Sequence, residues 1–202
     1  MAGEVIDGRF ASHPPAELLI DRNAIERRID ELGTELAEMF GDGPPPVLVG
    51  VLKGSAMFLA DLIRAMNIDV VVDFMSISPY SHAGVVRILK DLDEDIRDKD
   101  VVIVEDIVDT GLTLNYLRKT LSQREPSSMR AVTFLDKTAR RIIPVPLEFS
   151  AFEIPDVFVV GYGLDFQGLY RNAADILAVR DLARLANEPR LLVPQIFGLK
   201  DG

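Results

Sequence analysis

The chain of 202 residues contains no cysteine, which excludes disulfides, thiolate metal sites and a cysteine nucleophile, and is compatible with a reducing cytosol. It has two histidines, His13 and His82. Each sits in a loop-like setting with no partner at metal or catalytic spacing, so both read as solvated. Positive charge is short as well: 22 Lys and Arg stand against 32 Asp and Glu, for a formal net charge of −10. A molecule of that sign repels phosphate backbones, so nucleic acid is not an expected partner, and any anionic ligand must be held locally. No apolar run approaches the roughly 18 residues of a membrane span, and no membrane association is expected. The N-terminus shows no basic region followed by an apolar stretch, so the expected location is cytoplasmic rather than secreted. Two phosphate motifs are also missing. There is no Gly-x-x-x-x-Gly-Lys-[Ser/Thr], and no Gly-x-Gly-x-x-Gly follows a strand, which weighs against P-loop and dinucleotide-binding readings.

What is present is the alternation of an α/β protein. Ile25, Ile29, Leu32, Leu36 and Met39 recur at helical spacing from Asp21 onward, and Gly41 and Gly43 stop the pattern before three prolines. Residues 47–52 read as a buried strand, which runs through Lys53-Gly54-Ser55 into a helix over about 55–66. Further strands are expected at 68–77, 85–89, 130–135 and 157–162, with a helix over about 112–123 and a charge-rich, solvated connection at 91–100. The segment 175–202 is weakly helical. Strands alternating with helices imply a mostly parallel, twisted sheet with helices on both faces, and the length suits one domain.

Residues 101–113 carry the sharpest signal: Val-Val-Ile-Val-Glu-Asp-Ile-Val-Asp-Thr-Gly-Leu-Thr. The four leading residues are β-branched without polar alternation, as in a central strand buried on both faces. Glu105 and Asp106 then fall at its carboxyl end, where open α/β sheets bind ligands. Their acceptor-only oxygens suit either a divalent cation or sugar hydroxyls. In Asp109-Thr110-Gly111-Leu112-Thr113, a glycine turn, two hydroxyls and the N–H groups of a starting helix can converge on a phosphate.

This segment resembles the phosphoribosyl diphosphate (PRPP) motif of the type I phosphoribosyltransferases, in the form found in the hypoxanthine-guanine branch. Leu52-Lys53-Gly54-Ser55, Val72-Asp73-Phe74-Met75, Arg87-Ile88-Leu89-Lys90-Asp91-Leu92-Asp93, Phe152-Glu153-Ile154-Pro155-Asp156 and Phe158-Val159-Val160-Gly161-Tyr162-Gly163-Leu164-Asp165 are similar to that branch in order and spacing. The likeness spans about residues 47–171.

The resemblance implies a single domain over 1–202, with a core at about 21–163 and a small hood from about 1–20 and 164–202. It implies transfer of 5-phosphoribosyl from PRPP to N9 of a 6-oxopurine in purine salvage, with Mg²⁺ as cofactor and a homodimer or homotetramer as the assembly. Lys53 and Gly54 are expected at the diphosphate, with the peptide between them able to become cis. Glu105, Asp106, Asp109, Thr110, Gly111, Leu112, Thr113 and Arg171 complete the PRPP site. Lys137, Phe158, Val159 and Asp165 are expected at the purine. Lys137 is a donor-only group suited to an oxo substituent, and Phe158 offers a stacking face. Glu105, Asp106 and Asp165 are the expected metal residues, and Asp109 the general base. Arg141, or its neighbour Arg140, matches an arginine near the diphosphate. A PRPP-binding regulator with little catalysis and a xanthine-preferring enzyme are the competing readings. The family's mobile loop would fall at 78–85, about four residues shorter here and carrying Pro79 before Tyr80, while the C-terminal tail runs longer than the compact family pattern.

Overall fold

The computed structural model describes residues 14–78 and 87–198. His13, His82 and most of the short loop expected at 78–85 therefore lie outside the described residues.

Six strands form the main sheet: β2 (Val47–Val51), β3 (Val71–Ile77), β4 (Ile88–Lys90), β5 (Asp100–Val108), β6 (Ser128–Asp136) and β7 (Phe149–Glu153). Their order is β4-β3-β2-β5-β6-β7; the β3–β4 pair is antiparallel and all other pairs are parallel. Alternation along the central strands divides the core in two. Leu48, Val102, Val104, Val132 and Phe134 pack on one face with α1 (Arg22–Phe40) and α2 (Ala56–Ala65). Val47, Val49, Val101, Ile103 and Ala131 pack on the other with α3 (Leu112–Ser122). Residues 101–104 are fully buried, as a strand covered by helices on both faces requires. The expected mostly parallel sheet with helices on both faces is the architecture observed.

Helix α1 follows its sequence signals closely. Asp21 caps it, its carboxylate accepting from Asn23 N at 2.9 Å and Ala24 N at 3.0 Å, which satisfies two of the four unpaired donors at a helix start. Ile25, Ile29, Leu32 and Leu36 are its buried face, and Gly41 ends it.

A second sheet of three antiparallel strands has the order β1-β9-β8, from β1 (Ala16–Ile20), β8 (Phe158–Val160) and β9 (Ile176–Val179). Two short helices, α4 (Leu182–Asn187) and α5 (Val193–Phe197), follow. Two expectations are corrected here. The main sheet ends with β7, so 158–160, expected inside the core unit, belongs to the small sheet instead. The weakly helical tail also begins with a strand, β9, that pairs on both sides. The connection at 91–100 is more than a solvated run: Ile96 is buried, and Asp93 N and Glu94 N donate at 2.8 and 2.9 Å to the buried carboxylate of Asp73.

Candidate active site

Parallel neighbours β2 and β5 pair in register from Val47↔Val101 to Gly50↔Val104. The chain leaves β2 toward β3 on one side, while β5 lies on the other. This is the point where the strand order reverses, and the crevice beyond the carboxyl ends of such strands is the ligand position of open α/β sheets. A cleft of about 380 Å³ opens there. It is lined by the turn after β2, the end of β5, the start of α3, and Asp165 and Arg171 from beyond β8.

The turn after β2 is tightly built. Ser55 is fully buried and its hydroxyl donates to Val51 O at 2.8 Å. The cis peptide lies at Leu52–Lys53, one bond before the expected Lys53–Gly54 position. Gly54 has no room for a side chain: a Cβ there would sit 1.4 Å from Asp106 Oδ2. Gly163, in the left-handed region at φ +96°, meets the same turn from the other side, and its Cβ would lie 2.1 Å from Gly54 O. Lys53, Gly54, Asp106, Asp165 and Arg171 all line the cleft.

The acids sit deeper than expected. Strand β5 continues to Val108, so Glu105 and Asp106 belong to the strand rather than follow it. Glu105 is 3% exposed, and its Oε1 has no hydrogen-bond partner among the described residues. Burial, reinforced by the neighbouring Asp106 charge, pushes its carboxyl well above the usual range. Asp106 accepts from Ile107 N at 2.8 Å. Burial raises its carboxyl to about 6, against the opposing pull of the Ile107 N–H and Arg171, with Asp165 adding to the rise. Neighbouring acids left in this state, one buried and one half-buried, favour a cation or a proton beside them, so the donor chemistry fits Mg²⁺. Among the described residues no three acids or histidines converge as a cage. A Mg²⁺ held here would need further ligands from water and substrate oxygens.

Past β5, Gly111 adopts φ +86° and, as N-cap, gives α3 no side-chain bond; Leu112 N donates to Thr110 Oγ1 at 3.4 Å, and the N–H groups that follow in the first turn are available to an anion. Thr110, Gly111 and Thr113 line the cleft, whereas Leu112 does not. The loop is braced from behind in a way the sequence did not disclose. Ile142 N donates to Thr110 O at 3.1 Å, and the Arg141 side chain packs beside Gly111. Arg141 pairs with Asp136 and is absent from the cleft lining, so it supports the loop after β5 from outside the cleft.

The residues expected at the purine are arranged differently. Asp109 lines the cleft, and its Oδ1 lies 2.9 Å from Arg140 Nε without the alignment of a hydrogen bond. Arg140 Nη1 also donates to Asp156 Oδ1 at 3.2 Å, and the same oxygen is 4.0 Å from Lys137 Nζ. Lys137 is 7% exposed, with its backbone N donating to Val108 O at 3.0 Å. It follows β6 as expected but lies beyond the cleft lining. Phe158 stands edge-on to Phe166 at 5.9 Å, and Val159 is packed in the main core; both also lie outside that lining. Asp165 accepts from Gly168 N at 2.6 Å and pairs with Arg171. Sequence reasoning missed Ser55 and the Arg140–Asp156 link, since a serine after a strand and an arginine on a loop carry no distinguishing pattern.

The Phosphoribosyl transferase domain model matches residues 17–167. The hypoxanthine phosphoribosyltransferase of Escherichia coli (strain K12) is 52% identical over 161 residues, which cover 77% of this chain and 90% of that protein. The hypoxanthine-guanine phosphoribosyltransferase of Bacillus subtilis (strain 168) is 42% identical over 164 residues, covering 79% and 91%. A crystal structure of a hypoxanthine-guanine phosphoribosyltransferase from Bacillus anthracis superposes with a TM-score of 0.78 at 40% identity, over 81% of this chain and 98% of that one. A structure of the Trypanosoma cruzi hypoxanthine phosphoribosyltransferase in complex with the product IMP gives 0.79 at 41% identity, over 84% and 97%. With a cleft at the strand-order reversal and these matches along most of its length, the chain belongs to the phosphoribosyltransferase family, in its hypoxanthine(-guanine) branch.

Proposed function

We propose that the protein transfers 5-phosphoribosyl from PRPP to N9 of hypoxanthine or guanine, releasing diphosphate and forming IMP or GMP in purine salvage. The observation that carries this reading is the cleft itself. A tight turn, a buried acid (Glu105) beside a half-buried one (Asp106), and a helix start without an N-cap side chain face one another across it, which is the set of contacts a phosphorylated sugar diphosphate needs.

Positive charge develops on the sugar as the diphosphate leaves, so catalysis rests on positioning and on electrostatic stabilisation at both ends of the breaking bond. Thr110, Gly111, Thr113 and the first turn of α3 hold the 5′-phosphate, with the Leu112 N–H, which otherwise donates to Thr110 Oγ1, turning to join them. Lys53, Gly54 and Arg171 take the diphosphate. Glu105 and Asp106 face the ribose, and with Asp165 would hold Mg²⁺, directly or through water. When bound, Mg²⁺ supplies charge neutralisation of the leaving group. Asp109 accepts the purine N7 proton. Lys137 donates to the 6-oxo group, Phe158 stacks on the ring and Val159 contacts it through its backbone; these three must be approached by a base seated beyond the part of the cleft described above.

The reading treats 1–202 as one domain, with the small sheet as the hood over the base. It places the enzyme in the cytoplasm, a setting with which a cysteine-free chain is compatible, and takes a homodimer or homotetramer as its assembly. None of the described helices is long and apolar enough to cross a membrane.

Mixing the protein with PRPP, Mg²⁺ and hypoxanthine, guanine or xanthine separately, and following nucleotide formation, tests the proposal. Product with hypoxanthine or guanine is expected. Binding of PRPP without product from any base would replace it with the regulator reading, and product from xanthine alone would revise the substrate.

A further inference from the structure

Beyond residue 167, where the family model ends, the last stretch of the chain is fixed to the fold around one buried tyrosine. Tyr170 is 3% exposed; its hydroxyl donates to Pro189 O and accepts from Leu192 N at 3.3 Å. Leu185 and Leu192 are fully buried and share an apolar cluster with Ala16, Val160 and the Tyr170 side chain. Gln195 Nε2 donates to Ala16 O at 2.8 Å, so the tail grips β1 as well as the tyrosine. Tyr170 also stands at φ +75°, a region a bulky side chain occupies only where its surroundings hold it.

From Tyr170 the contacts lead into the cleft. Its chain neighbour Arg171 is tied to Gly163 twice: Gly163 N donates to Arg171 O at 2.9 Å, and Arg171 Nη1 donates to Gly163 O at 2.6 Å. The guanidinium also pairs with Asp165. Gly163 in turn abuts Gly54 O in the turn after β2. An unbroken run of contacts therefore joins the C-terminal segment, Tyr170, Arg171, Gly163 and Gly54. Interiors this closely packed transmit displacement rather than absorb it.

We propose that Tyr170 is a positioning residue: the C-terminal segment clamps its hydroxyl, and through it Arg171 and Gly163 are held against the β2 turn in the geometry that receives the diphosphate. The inference rests on the phosphoribosyl-transfer reading and deepens it, because it makes the tail act on one substrate. Asp109 and Lys137, which serve the base, follow strands of the other sheet.

Tyr170→Phe removes both hydroxyl bonds and keeps the ring. It is expected to raise the KM for PRPP about fivefold, and the Kd for PRPP with Mg²⁺ by calorimetry equally, while the purine KM and kcat stay within about twofold. Leu36→Ala, in the α1 core far along the chain from the tail, serves as the comparison; it lowers the melting temperature and leaves both KM values in place. Should Tyr170→Phe fail to fold, Leu192→Ala keeps the hydroxyl, shortens the tail's buried anchor and is read the same way. An unchanged Kd for PRPP in a folded variant overturns the proposal, as does an equal rise in both KM values or a PRPP effect that Leu36→Ala reproduces. A parent protein that binds PRPP but forms no nucleotide removes the transferase reading, and the Kd comparison still decides this one.

Discussion

The two sheets contribute to the cleft by different means. The six-stranded sheet delivers backbone and buried acids from strand ends fixed in the core, as with Gly54 against Asp106 and Glu105 inside β5. The small sheet delivers side chains through the loop beyond β8, held by the Asp165–Arg171 pair and by close backbone contacts. The first means leaves almost no positional freedom, since the atoms belong to the sheet itself. The second fixes side chains by hydrogen bonds and an ion pair rather than by a strand ladder.

The largest effect should come from the group given the chemistry. Asp109→Asn is expected to lower kcat about 100-fold with the KM for PRPP within about twofold, measured by steady-state kinetics; an unchanged kcat would remove the general-base role. Next, Gly54→Ala tests how rigid the main-sheet half is. A Cβ 1.4 Å from Asp106 Oδ2 forces one partner aside, and overpacking of this kind costs about 1–3 kcal/mol. The KM for PRPP should rise about 30-fold. A smaller change than that of Tyr170→Phe would show that the two halves do not differ in stiffness. Lys137→Gln should raise the purine KM about tenfold without changing PRPP binding; a joint change would mean that the base and diphosphate sides are not separable.

The smallest effect concerns stability and reports on the main sheet alone. Burial works to raise the Asp73 carboxyl, but the N–H groups of Glu94, Phe74 and Asp93 and the Lys90 ammonium outweigh it and leave it below its ordinary value. A lowered acid stabilises the fold at pH values above its unfolded pKa of about 3.9. That contribution is lost as pH falls through the folded value. Asp73→Asn should therefore lower the melting temperature by about 4 °C at pH 7, and the gap to the parent should close below about pH 4. A gap that persists in acid would assign the loss to packing.

Much of the main sheet was legible in the chain. The buried run at 101–104, the helical spacing of Ile25 to Met39 and the glycines that stop that helix each carry a local signal that the core then uses. The strand end at Glu105 was not, because two acids in a row read as the exit from a core in which an unpaired carboxylate is expensive; the fold keeps them inside β5, and their raised pKa values are the result. Strand β7 escaped notice because Phe149-Ser150-Ala151-Phe152-Glu153 is short and follows a stretch broken by Pro144 and Pro146. Strands β8 and β9 belong to a sheet whose members come from both ends of the chain, and periodicity along the sequence says nothing about such a partnership. Around the cleft, most of the expected diphosphate-side residues line it, but their supports were not legible: Arg141 stands behind the loop after β5, and the cis bond lies one residue earlier than expected.

The meeting of Gly163 with Gly54 has a genetic consequence. Gly54 is closed to a side chain by the Asp106 carboxylate, and Gly163 by the carbonyl oxygen of Gly54 and by its own backbone angle. A library randomised at both codons and selected for growth on purine salvage should return glycine at each, with no compensating pair, although 108 other residues separate the two in the chain.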